Sequence, residues 1–360
     1  MKAILNCPFV PISDRIASHR SAQGVMYADM LRQTGRTVDI NWGGKLVSDY
    51  NAYDELYVYH GNDWIGILNI WGGLDKYPYS YNPRDLSKFK GKVYSLEIPF
   101  PPYHKLLAKR FNYFKTAGKT MQPEWHEVDL ENLERMYNTA EVIKFPYITD
   151  KLVIGDSHSI CMYRPGWTVN SVPFKTLNGA INMGLETFIK EVAPVDTFSE
   201  VEFYFGNIDV RHHLCRRGPN HRQNAQELAH RCHRAVSELP IKKKAIYELL
   251  PIENESRKIP KPGYYKDQPF WGTWAQRNEA RQVFNDTAEA LCAKGDVRFI
   301  RWTNYLLNDK GELDFAFMEK PKSIHLSREF YPYWTGEVAK PSKIHTSEES
   351  PASTLESFFS

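Results

Sequence analysis

A chain of 360 residues with 42% hydrophobic and 25% charged residues has room for two α/β domains and the composition of an ordinary globular protein. That balance excludes collagen-like, fully disordered and polytopic membrane chains, and no window reaches the ~18 uninterrupted apolar residues of a membrane span. Lys and Arg total 46 against 43 Asp and Glu, a formal charge of +3, so nucleic-acid affinity would have to come from a local patch. Five scattered cysteines (Cys7, Cys161, Cys215, Cys232 and Cys292) argue against a disulfide framework and for a reducing, cytoplasmic setting.

In chain order, residues 1–115 read as a smaller, Rossmann-like α/β domain. AILNCPFV is a first strand, its apolar run too short for a secretory signal. SAQGVMYADMLRQTGR follows as a helix, with Val25, Met26, Ala28, Met30 and Leu31 at helical spacing and Gly35 at its C-terminus. TVDINW, ELYVYHG and KVYSLEIPF read as strands, the last stopped by Pro101 and Pro102. Strand, helix, strand in that order argue for a parallel sheet. No glycine-rich phosphate loop follows the first strand, so no nucleotide cofactor is expected. Residues 116–150 read as a bridge holding one short acidic helix.

A second domain spans 151–335. Its strands are KLVI, VEFYFGNIDV, KKKAIYELLPI and VRFIRW. Between them, LNGAINMGLETFIKEV is a glycine-punctuated turn entering a helix. PNHRQNAQELAHRCHRAVSELP and WAQRNEARQVFNDTAEALCAKGD are amphipathic helices. From 336 to 360 the Pro, Ser, Thr and Glu content predicts a disordered tail.

Chemistry concentrates at Gly155-Asp156-Ser157-His158, directly after the apolar KLVI strand. The C-terminal edge of a parallel strand is where α/β sheets place reactive groups. A serine hydroxyl needs a base, and His325 in Ser-Ile-His-Leu, after the last strand, is the candidate. Oxyanion donors are also needed. Gly179 in LNGAINMG and Asn207 in FGNID lie between serine and histidine in sequence and suit that task. Ser157 as a plain turn or helix cap, and both histidines as satisfied structural residues, are the bland alternatives.

The ordered set GDS, Gly, Asn and late His resembles the SGNH (GDSL-like) hydrolase superfamily over residues 151–330. FGNIDVRHH is similar to the FGEIDxRxH variant of the third block found in carbohydrate-associated members. The resemblance implies a flavodoxin-like three-layer α/β/α fold. It also implies catalysis by Ser157 and His325 with Asp156, Gly179 and Asn207; no cofactor is expected. An ester hydrolase or acyltransferase acting on an O-acyl group of a carbohydrate or similar polar substrate follows. His158, Asp209, Arg211, Trp271 and Trp274 are the expected substrate-binding residues, although Asp209 and Arg211 could equally pair with each other. Two departures stand out. Ile208 occupies the usual third-block Asn position, and Lys322 the usual Asp position three before His325. Lysine cannot accept the imidazole Nδ1 proton, so Glu319, Asp314 or a backbone carbonyl would have to orient the base.

Three further features carry other functions. His212, His213, Cys215, His221, His230, Cys232 and His233 are numerous enough for zinc but lack ligand spacing, so no metal is expected. From 211 to 244 there are nine Lys and Arg against Glu227 and Glu238, a candidate nucleic-acid contact or a solvated face. Tyr264, Tyr265, Trp271 and Trp274 flank a loop that could cover a pocket. The strand plan of the first domain is similar to that of phage DNA glucosyltransferases. A sugar-handling transferase, or a binding protein with a degraded SGNH site, therefore stand as alternatives. No membrane partner is expected, and the oligomeric state is open.

Overall fold

The computed structural model describes residues 1–7, 18–42, 49–59, 88–97, 129–218, 220–256, 270–319 and 323–333. Lys322, Tyr264, Tyr265 and the 336–360 tail lie outside them. The chain divides into two compact units: the described parts of 1–12 and 27–147, and those of 13–26 and 148–336. Each is built on a parallel sheet of five strands with flanking helices, an α/β fold.

In the first unit β1 (Lys2–Cys7), β2 (Thr37–Trp42), β3 (Glu55–Tyr59), β4 (Lys92–Leu96) and β5 (Glu141–Ile143) lie in the order β2-β1-β3-β4-β5. β1 and β3 are buried along almost their whole length, as strands covered on both faces are. Helix α1 (Ser18–Gln33) comes between β1 and β2 in the chain; its part from Tyr27 onward belongs to this unit and is closed by Gly35 at φ 81°. The acidic helix expected in the bridge is α2 (Leu130–Thr139), capped by the Asp129 side chain. Just beyond it, residues 141–143 pair with β4 and so belong to this sheet.

In the second unit β6 (Lys151–Gly155), β7 (Thr168–Ser171), β8 (Glu200–Tyr204), β9 (Lys243–Tyr247) and β10 (Val297–Ile300) lie in the order β10-β9-β8-β6-β7. Renumbered from β6 this is 2-1-3-4-5, the flavodoxin order, whose reversal falls between the first and third strands. The switch point is therefore the crevice beyond the ends of β6 and β8. Helices α3 (Leu177–Met183), α4 (Leu185–Lys190), α5 (Asn207–His212), α6 (His221–Ser237) and α7 (Trp274–Cys292) complete the unit. Leu152 and Ile154 of β6, Val201 and Phe203 of β8 and Ile246 of β9 point to one face. They form a single core there with Phe188, Leu228, Ala229 and Phe284 from the helices. On the opposite face Glu202 pairs with Arg164 at 2.7 Å and bonds Tyr247, while the Tyr204 ring packs edge-on against Trp302.

Two elements differ from sequence expectation. VEFYFGNIDV is not one strand. β8 stops at Tyr204, Gly206 turns the chain at φ 118°, and Asn207 begins a helix. A Cβ at Gly206 would lie 3.1 Å from Leu249 Cδ2, so both conformation and space favour glycine. The edge strand β7 was invisible because TVNS is short and carries little apolar alternation. No helix among the described residues is long and apolar enough to cross a membrane.

Candidate active site

Ser157 stands two residues beyond β6, at the switch point. The turn is held by Asp156 N–H donating to Tyr204 O at 3.2 Å and Ser159 N–H donating to Asp156 O at 2.9 Å. Gly155 is required for closeness: a Cβ there would come within 2.2 Å of Tyr204 O. The two strands that define the crevice thus meet where the serine emerges.

His325 reaches this serine from 168 residues away, with Nε2 3.0 Å from Ser157 Oγ. It sits on a small antiparallel ladder. Met318 bridges Leu326, Glu319 N–H donates to His325 O at 2.9 Å, and Ser327 N–H donates to Phe317 O at 2.9 Å. Glu319 and His325 are therefore direct cross-strand neighbours, whose side chains share a face. Glu319 Oε1 lies 3.5 Å from His325 Nδ1 and accepts from Ser323 Oγ at 3.1 Å, with Glu319 only 2% exposed. A buried carboxylate thus faces the second ring nitrogen, supplied six residues before the histidine. Asp314, the other carboxylate considered, instead caps residues 315–317 through Ala316 N–H.

Asp156 is not the partner of His325. Its Oδ1 accepts from the His158 amide at 2.9 Å and lies 2.8 Å from His158 Nδ1. On the other side His158 Nε2 is 3.4 Å from Arg211 Nη1, and Arg211 Nε donates to both Glu253 oxygens at 2.8 Å. An Arg donor on Nε2 requires a neutral imidazole carrying its proton on Nδ1. Burial, opposed by Asp156 and reinforced by Arg211 and His325, pushes His158 down to about 4. Burial alone would raise Asp156, but His158 and Arg211 outweigh it and hold its carboxyl below the usual range. The His158 ring packs 4.8 Å from that of His325, forming the wall behind the base.

This neutral histidine makes stability depend on pH. The unfolded chain takes up the proton near pH 6.5, the folded one only near 4. The contribution is therefore complete above pH 6.5 and lost as pH falls to about 4, about 3 kcal/mol in all. His158→Gln should remove that dependence. In urea unfolding at pH 7 and pH 4, the stability of wild type minus variant should fall by about 3 kcal/mol between the two; an unchanged difference would mean that His158 takes up its proton in the fold as readily as in the unfolded chain.

Asn207 is 1% exposed; its Oδ1 accepts from Leu250 N–H at 3.1 Å and its Nδ2 has no partner. The Ser157 amide is likewise bonded to none of the described residues. These two donors make no hydrogen bond among the described residues. Gly179 is placed differently: its N–H donates to Thr176 Oγ1 at 3.0 Å as part of the α3 cap, which leaves no donor for an oxyanion. Asp209 is a structural acceptor for Leu177 and Asn178 N–H at 2.6 and 3.2 Å, and burial pushes it up to about 6. Arg211 pairs with Glu253 rather than Asp209 and is 1% exposed. Both side chains are buried, and Arg211 Nη2 has no hydrogen-bond partner among the described residues. The sequence contains no local signal for Glu253, which lies 42 residues from Arg211.

The cleft beside Ser157 and His325 has about 210 Å³ of open space and is walled by Ile160, Cys161, Tyr204, Leu250 and Leu326. Burial pushes the Cys161 thiol well up, making it wall rather than nucleophile. Trp271 and Trp274 do not line it. Trp274 Nε1 donates to Ile252 O at 3.1 Å, and the exposed Trp271 ring carries Arg216 at 5.0 Å. Among the described residues no three His, Cys, Asp or Glu side chains are grouped to hold a metal ion. In the basic segment Arg222 bonds Glu279, Arg231 bonds the Asn178 and Asn182 side chains, and Lys244 pairs with Asp296.

Neither a family model nor a curated protein matches the chain. Solved structures with similarity include a protein described as a platelet activating factor from Streptococcus pneumonia, 16% identical, TM-score 0.36, covering 52% of this chain and 81% of that one. A gut microbial diltiazem-metabolizing enzyme is 16% identical, TM-score 0.30, covering 44% and 38%. The psychrotrophic esterase EstA of Pseudoalteromonas sp., in a structure inhibited by monoethylphosphonate, is 13% identical, TM-score 0.26, covering 51% and 91%.

Proposed function

We propose that this chain is an SGNH-type serine hydrolase or acyltransferase that cleaves an O-acyl ester of a carbohydrate or similar polar alcohol. The observation that carries the proposal is the 3.0 Å approach of His325 Nε2 to Ser157 Oγ, with the Glu319 carboxylate facing Nδ1. Geometry of this kind lets the imidazole take the hydroxyl proton as the oxygen attacks the ester carbonyl. The developing oxyanion is met by the Ser157 amide and Asn207 Nδ2. Collapse of the intermediate breaks the bond to the alcohol, which leaves with the proton from His325, and the acyl group stays on Ser157. Water, or another hydroxyl in a transferase, then attacks with His325 again as base. The carbohydrate part of the proposal rests on the likeness of FGNIDVRHH to carbohydrate-associated members.

A fluorophosphonate probe reports an activated serine without knowledge of the substrate. It should modify the intact protein once, and mass analysis of the digest should place the adduct on the peptide containing Ser157. Absence of any adduct at a catalytic excess of probe would sink the proposal.

A further inference from the structure

Phe174 is placed in a conformation that its side chain disfavours and that no packing explains. Val172-Pro173-Phe174-Lys175 form a turn closed by Lys175 N–H donating to Val172 O at 3.4 Å. Proline sits second, as turns of this sense prefer, and Phe174 sits third at φ 61°. That third position calls for glycine or asparagine, because a Cβ is strained there. The ring is 86% exposed. A lone exposed apolar residue needs no explanation; one held exposed by a strained turn does.

The turn's location supplies one. Ser171 lies beside Gly155 in the β6–β7 register, Val172 N–H donates to Gly155 O at 2.8 Å, and Ser171 Oγ donates to Asp156 O at 3.1 Å. Phe174 therefore stands two residues past Val172 on one strand end, and Ser157 two residues past Gly155 on its neighbour. Of the cleft walls, Tyr204 ends β8, Leu250 lies beyond β9, and Ile160 and Cys161 come from the turn after β6 that packs on β7; Phe174 is not among them. Phe174 therefore stands on the strand end beside the serine turn and outside the cleft lining.

An ester bound to Ser157 has two ends, and the cleft, which is small and opens to solvent, does not hold both. We infer that the acyl group occupies the cleft and that Phe174 forms the outer rim for the alcohol, stacking on a ring that presents a flat C–H or π face. Met183, 52% exposed, extends this rim, because Lys175 from the same turn reaches its sulfur at 3.1 Å. The inference rests on the serine hydrolase proposal and adds the class of alcohol. Burying a ring face of this size is worth about ten-fold in affinity.

The test compares kcat/KM for phenyl acetate and ethyl acetate, which share the acyl group and differ in the alcohol. In Phe174→Ala and Phe174→Gly the phenyl-to-ethyl ratio should fall about ten-fold, mostly through KM, while Phe174→Trp should keep it. Phe174→Gly should at the same time raise the melting midpoint by about 2–4 °C, since glycine relieves the positive φ. Lost discrimination in a stabilised protein separates ring contact from damage to the fold. A phenyl-to-ethyl ratio within about two-fold of wild type in both truncations would overturn the rim. A wild type that cleaves neither ester and takes no fluorophosphonate would instead overturn the hydrolase proposal, and the rim with it.

Discussion

Ser157→Ala is expected to lower kcat for an activated acetyl ester by a factor on the order of 10⁵–10⁶ and to abolish fluorophosphonate labelling, with the melting midpoint little changed. His325→Ala should cost nearly as much, and the double variant little more than either alone, because a nucleophile and its base act as one unit. This non-additivity is the informative part. Were Ser157 merely a turn residue, the two substitutions would act independently and their effects would multiply. Asn207→Ala should lie between, with a loss of about 10²–10³, as expected for one donor that strengthens in the transition state. Its Nδ2 makes no hydrogen bond of ordinary geometry and lies toward the hydroxyl of Tyr204, a wall of the cleft. Retention of full ester hydrolysis by Ser157→Ala would end the assignment.

That Ser157 and His325 belong together was legible in the sequence because their signals are local. A GDS triplet after an apolar strand and a histidine after the last strand are visible without knowing what touches what. Both parallel sheets were legible for the same reason, through alternation of strand-like and helical periodicity. The assignments that depended on pairing fared differently. Gly179 had the right order, but its amide serves Thr176 three residues earlier, a helix-capping bond that FKTLNGAIN does not announce until the helix start is known. Asp209 and Arg211 belong to a helix rather than a strand end, since Gly206 breaks the chain two residues after β8. Their carboxylate and guanidinium then point to different elements, Asp209 to the start of α3 and Arg211 to Glu253. Such long-range ion pairs leave no spacing rule to read.

Glu319 marks that boundary most clearly, and it yields the last large effect. The sequence offered it only as one of three substitutes for the missing aspartate, whereas cross-strand pairing puts it directly opposite His325. Glu319→Gln keeps the size of the side chain and an oxygen to accept from Ser323, but it removes the charge facing Nδ1. In the template triad, making the orienting acid an amide costs about 10⁴ in kcat. Because the Glu319–His325 separation is 3.5 Å, longer than a strong charge-assisted bond, a smaller loss of about 10²–10³ is expected here. The fluorophosphonate labelling rate should fall by a similar factor, since acylation and phosphonylation both require the imidazole to accept the serine proton. Folding should survive, because a neutral amide is easier to bury than a carboxylate. Adding Lys322→Asp to Glu319→Gln places an acid three residues before His325 instead of six. Partial recovery would mean that either position can orient the base. If Glu319→Gln alone keeps wild-type labelling and turnover, the carboxylate only braces the ladder of Met318 and Leu326, and Ser157 and His325 work as a dyad.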